Sequence, residues 1–190
     1  MAEIQYLALL RGINVGGNNI IKMAELTACF ETMGFTEVLT LIQSGNILFK
    51  AAEKDKAKLT AKIERGLSKT FGYQSRVVVI AYRELKKIVE EAPKGFGQDL
   101  AKYRCDVIFL KEPLTPKEAF KNVKVKEGVD TAHAGKSALY FSRLDSEASQ
   151  SRLPRIIALP MYQFMTIRNW NTTTKLLALM EKANEKKSGS

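Results

Sequence analysis

The apolar residues of this chain alternate between a two-residue and a four-residue rhythm, and the same order of rhythms runs through the chain twice. In the first half, Ile4 to Leu10 reads as a strand and Met23-Leu26-Phe30-Met33 as a helix ended by Gly34. Val38 to Ile42 and Ile47 to Phe49 follow as a hairpin, then a helix over about 54 to 71 and a strand from Arg76 to Ile80. A short helix from Tyr82 to Glu91 leads to the linker Pro93-Lys94-Gly95-Phe96-Gly97. The second half repeats the order: strand Cys105 to Leu110, helix opened by Thr115-Pro116, hairpin Val129 to His133 with Ala138 to Ser142, helix near Glu147 to Ala158, strand Tyr162 to Ile167 and a terminal helix from Asn171 to Asn184. Two β-α-β-β-α-β units predict an α+β protein with mostly antiparallel sheets, divided as 1–92 and 98–184 with a frayed polar tail at 185–190. Val77-Val78-Val79-Ile80 and Val107-Ile108-Phe109-Leu110 are apolar without alternation, so both faces of those strands should be covered.

Composition removes several chemistries. Cys29 and Cys105 lack CxxC spacing and neighbouring histidines, which reads as two buried thiols and no metal site. His133, the single histidine, lies in a strand-like run, where a structural or exposed role is favoured over a catalytic base. No window reaches the roughly eighteen apolar residues of a membrane span, and Met1-Ala2-Glu3-Ile4 lacks a signal peptide's basic start, so a cytoplasmic protein without a membrane partner is expected. The net charge of +10 is uneven, with residues 50–82 alone contributing +5. In the helix there, Leu59, Ile63, Leu67 and Phe71 form an apolar stripe, while Lys58, Lys62, Arg65 and Lys69 fall on another face. That basic row is either a solvated face or a footprint for a polyanion.

Three loops carry polar residues that a fold alone does not demand. In Leu9-Leu10-Arg11-Gly12-Ile13-Asn14-Val15-Gly16-Gly17-Asn18-Asn19, Gly12 and Gly17 have the spacing of a phosphate-cradling loop, but Asn18 and Asn19 replace its Lys and Ser/Thr. What remains is a glycine-rich strand-to-helix turn with an arginine at its start, which favours an anion or is simply a tight turn. Gln43-Ser44-Gly45-Asn46 has ordinary hairpin chemistry. Arg168-Asn169-Trp170-Asn171-Thr172, followed by Lys175, enters the last helix, with Asn171 a suitable N-cap. An arginine and an aromatic platform there suit a phosphate or carboxylate ligand with a flat part, unless the tryptophan packs over the seam between the halves. Gly135-Lys136-Ser137 imitates the end of a nucleotide-binding loop but joins two strands, and is read as a turn.

These three ordered motifs resemble a bacterial family known as domain of unknown function 1697, over nearly the whole chain. The resemblance implies a tandem pair of ferredoxin-like subdomains and brings no established activity, cofactor or catalytic residue. It carries motif identity to Arg11, Gly12, Asn14, Gly16, Gly17, Ser44, Gly45, Asn46, Arg168, Asn169, Trp170, Asn171, Thr172 and Lys175. The expected function is binding of a phosphate-bearing small molecule or nucleic acid by the two arginine-bearing loops, without cofactor or metal. A protein-interaction module, or an enzyme without a metal using Ser44 or Thr172, are the alternatives.

Overall fold

The structure, a computed structural model, describes residues 3–14, 19–41 and 45–188. It is an α+β protein with two four-stranded antiparallel sheets. The chain divides into two compact units, Met1–Leu85 with Met180–Ser190, and Lys86–Leu179.

In the first unit, β1 (Ile4–Arg11), α1 (Met23–Thr32), β2 (Thr36–Leu41), β3 (Asn46–Ala51), α2 (Lys56–Phe71) and β4 (Arg76–Ala81) succeed one another, and the strands lie β2-β3-β1-β4. β1 is central and buried from Gln5 to Leu10. Its alternate residues Tyr6, Ala8 and Leu10 join Ile47, Phe49, Val77 and Val79 in a core with the helices. α2 forms for readable reasons. The Asp55 carboxylate accepts hydrogen bonds from the N–H groups of Ala57 and Lys58, Leu59, Ile63 and Leu67 are buried four residues apart, and Gly72 closes the helix at φ +69.

α3 (Tyr82–Glu90) leads into the second unit, where β5 (Tyr103–Leu110), α4 (Pro116–Phe120), β6 (Asp130–Ala134), β7 (Ala138–Leu144), β8 (Met165–Asn169) and the start of α5 (Trp170–Ser188) lie. The strand order, β6-β7-β5-β8, matches that of the first unit position for position. Thr115 opens α4 with a reciprocal pair of hydrogen bonds to Glu118, which lowers the Glu118 carboxyl pKa.

Two expected elements differ. No α-helix runs near Glu147 to Ala158; three 3-10 turns, Asp145–Gln150, Leu153–Ala158 and Pro160–Phe164, occupy that stretch. Pro154 in a helix interior would remove one hydrogen bond and clash with the preceding turn, at a cost of about 3 kcal/mol. Leu159, restricted by Pro160, is extended at ψ 140. The strand expected at Tyr162 to Ile167 is shifted to Met165–Asn169 because Pro160–Phe164 forms the third turn.

No helix among the described residues is long and apolar enough to cross a membrane.

Candidate functional site

The first two motifs meet in the first unit. Arg11 ends β1 directly opposite Arg76 of β4. Gly12 (φ +74) and Asn14 (φ +52) then turn the chain with positive φ, and Asn14 stitches the turn closed. Its Nδ2 donates to the Ile21 carbonyl at 3.0 Å and its Oδ1 accepts from the Ile21 N–H at 2.8 Å, as a neighbouring strand would. The Asn19 amide donates to the Gly12 carbonyl at 2.8 Å. Gly45 lies against this turn: its carbonyl accepts from the Leu10 N–H at 2.8 Å, and a Cβ there would fall 2.8 Å from Leu10 Cβ. Asn46 is buried, its amide donating to the Leu41 carbonyl at 3.2 Å. Gly16, Gly17 and Ser44 lie outside the described residues.

The third motif is in the second unit, on β8 and the first turn of α5. The N-cap is Asn169, not Asn171: Asn169 Oδ1 accepts from the Thr172 N–H at 2.8 Å, and Asn171 is exposed in the helix. The correction comes from the later strand, which brings the helix start forward to Trp170. Arg168 Nη1 donates to Thr166 Oγ1 at 2.9 Å and to the Ile167 carbonyl at 2.8 Å. Burial of this guanidinium pulls its pKa down to about 10, opposed by Tyr162. Trp170 stands edge-on to Phe96 at 5.1 Å between ring centroids, and a Cβ on Gly97 would come within 2.2 Å of the indole. Gly97 (φ +75) is thus required both by its backbone and by the tryptophan lying on it. Phe96 in turn stands edge-on to Tyr140. Trp170 therefore anchors the glycine-rich linker, and Lys175 is exposed one turn further on.

Gly135-Lys136-Ser137 forms the β6–β7 turn, closed by the Gly135 N–H on the Ala138 carbonyl at 2.8 Å. Both cysteines are buried and free, and burial pushes the Cys105 thiol pKa up despite the Gly97 amide, the opposite of an activated nucleophile. His133 is exposed on β6. It borders a cleft of about 340 Å³ with Lys94, Tyr103, Cys105 and Ser142. Among the described residues no group of three His, Cys, Asp or Glu side chains could hold a metal ion. Lys58, Lys62, Arg65 and Lys69 are all exposed on α2, as their spacing predicts, and none makes an ion pair among the described residues.

A site that the motifs do not announce lies on the other face of the second sheet. Arg104 of β5 stands directly opposite Arg143 of β7, and Asp106 opposite Asn169 of β8. With Phe141, Ile167 and the turn residues Leu153, Pro154, Ile156 and Ile157, they line a cleft of about 310 Å³. Arg104 Nε donates to Asp106 Oδ2 at 3.0 Å. Arg143 Nε is buried and without a hydrogen-bond partner. Its other cross-strand neighbour, Asp130, accepts through Oδ2 from the N–H groups of Lys126 and Arg152, at 2.9 and 2.8 Å, while its Oδ1 is likewise buried and without a hydrogen-bond partner. Like charges directly opposite on neighbouring strands repel, and here Asp106 beside Arg104 and Asp130 opposite Arg143 offset them. The signal available in the sequence was weak: Arg104 and Asp106 two residues apart, and Arg143 at the end of an apolar run.

A family model described as a protein of unknown function, DUF1697, matches residues 4–140. The chain belongs to that family. The matched span takes in the first two motifs, β5, β6 and the first residues of β7, while the third motif lies beyond it. Among solved structures, the chain is similar to the conserved bacterial protein SP0830 from Streptococcus pneumoniae, with 26% identity and a TM-score of 0.82 over 95% of this chain and 99% of that one. No curated protein matches this chain.

Proposed function

We propose that this member of the family binds a phosphate-bearing ligand of nucleotide size in the Arg104–Arg143 cleft of the second unit, and that the two units are a tandem pair of ferredoxin-like subdomains. The shared strand order supports the second part. One observation carries the first: two arginines opposite each other across β5 and β7 line one cleft beside an apolar wall. Guanidinium forks match phosphate oxygens in pairs. Ile157, backed by the buried Phe141 and Ile156, offers apolar surface to a flat ring next to that phosphate. Asn169 adds an amide at the rim and ties the third motif to the cleft.

The ligand is placed here rather than at the helix entrance because the entrance groups are used within the fold. Asn169 Oδ1 caps Thr172, Arg168 is hydrogen-bonded along β8, and Trp170 lies on Gly97.

A thermal-shift and calorimetric panel of inorganic phosphate, sugar phosphates and nucleotides tests this reading. Arg143→Met should weaken binding about ten- to a hundredfold, the loss of a charge-assisted contact of roughly 1.5–3 kcal/mol. Lys58→Glu, Lys62→Glu and Lys69→Glu together should leave affinity nearly intact if the cleft is the site. Flat responses throughout, or a ligand that Arg168→Ala abolishes and Arg143→Met spares, would overturn the proposal.

A further inference from the structure

The cleft that holds Arg104 and Arg143 has a second one behind it. Lys121, Lys124, Arg152 and Arg155 border a cleft of about 220 Å³ that shares Phe141, Leu153 and Ile156 with the first. The Leu153–Ala158 turn is thus a ridge with cations on both flanks. All four cations of the second cleft are exposed, and none makes an ion pair among the described residues. Exposed apolar side chains occur nearby: Ile157, 56% exposed, lines the first cleft, Val125, 41% exposed, accepts through its carbonyl from Arg152 Nη1 at 3.3 Å, and Phe120, 38% exposed, precedes Lys121 in the chain.

We infer that the ligand of this face is a single-stranded nucleic acid that crosses the Leu153–Ala158 ridge and places phosphates in the cation clusters on both sides. The inference rests on the proposed phosphate site and extends it. A mononucleotide has phosphate at one end and fills one cleft, which leaves the second cluster without a role. A strand presents a phosphate at every nucleotide, so it can neutralise both. Between phosphates it offers bases, whose apolar faces suit Phe120, Val125 and Ile157 in the way stacking platforms serve single strands elsewhere. The recessed Arg143 discriminates among polyanions. A slender strand can enter the cleft that the Arg143 side chain lines, whereas a flat bilayer surface meets only the rim cations.

The test compares a thymidine mononucleotide with thymidine oligonucleotides of two, six and twelve residues by calorimetry and fluorescence anisotropy at several salt concentrations. Affinity should rise at least tenfold from the mononucleotide to the twelve-residue strand. In Arg152→Gln/Arg155→Gln, mononucleotide binding should persist, while the strand loses about tenfold and its salt slope falls by about 1.4, the value for two phosphate contacts on a single strand. Both substitutions are on exposed side chains, and a retained mononucleotide response shows that the variant is folded. A twelve-residue strand that binds no tighter than the mononucleotide, or that the double variant binds equally well, overturns the inference and leaves the small-ligand reading standing. Capture by phosphatidylglycerol vesicles without any strand binding overturns it in favour of a lipid surface. Silence from mononucleotide and strand alike removes both readings together.

Discussion

The two units share a strand order but cover their sheets differently beyond the third strand. In the first unit that cover is α2, sixteen residues long, capped at both ends and buried along Leu59, Ile63 and Leu67. In the second it is three 3-10 turns, with only Leu153 and Ile156 buried among them. A long amphipathic helix covers a sheet face with a continuous stripe, whereas short turns cover it in pieces. The clefts on both sides of Leu153 and Ile156, with the arginines that line them, are a consequence of that broken cover.

The largest expected effect of this difference is on core truncation. Ile63→Ala removes a side chain with no exposure from the α2 stripe, and should cost roughly 3–5 kcal/mol, toward the upper part of the range for such changes. Ile156→Ala should cost about 2 kcal/mol, because the space it leaves opens onto clefts on either side and can fill with water. Urea denaturation of both variants measures the contrast. Equal losses would mean that the turns pack as tightly as the helix.

Helix entrances should show a contrast at a smaller scale. Asp55→Ala removes two accepted hydrogen bonds at the start of α2 and should cost about 0.5–2 kcal/mol. Asn169→Ala should cost about 1 kcal/mol, and Asn171→Ala less than about 0.5 kcal/mol, since only the first accepts a first-turn N–H. Thermal unfolding of the pair decides whether the third motif contributes its first or its second asparagine as the cap. A reversed order would move the helix start back to where spacing alone puts it.

The succession of elements along the chain and the α2 stripe were legible in the sequence because each rests on local signals that agree with one another. The missing helix was misread for a local reason as well. Leu153, Ile156 and Leu159 recur every three residues, the spacing of a 3-10 face, and Pro154 and Pro160 interrupt any longer helix. Reading that stretch as helical hid its surface, and with it the clefts. Arg104 and Arg143 were beyond sequence reading for a different reason: they are far apart in the chain, and only the β5–β7 register puts one opposite the other. The motif loops, by contrast, stood out because their residues are unusual. The structure gives several of them local work, such as Asn14 pairing with Ile21 and Gly97 receiving Trp170.

The smallest contrast concerns two buried tyrosines, one in each unit. Tyr6 donates its hydroxyl to the Glu53 carbonyl at 2.9 Å, and Tyr140 donates to the Ile88 carbonyl at 2.6 Å. Burial raises both pKa values, with Glu53 and Glu84 adding to it at Tyr6 and Glu91 at Tyr140, which is pushed up to about 12. An unfolded chain releases the Tyr140 proton near 10.0, while the folded chain holds it until about 12. The unfolded state therefore binds fewer protons in that window, and stability falls as pH rises through it. Arg168, held down to about 10 in the fold, acts with the opposite sign over part of the same window, so the measurement is a difference. Denaturation midpoints from pH 8 to 12 should fall less steeply in Tyr140→Phe than in the unaltered protein. Tyr6→Phe should flatten the profile less, and a Tyr140→Phe profile parallel to the parent would show that this hydroxyl reaches water in the fold.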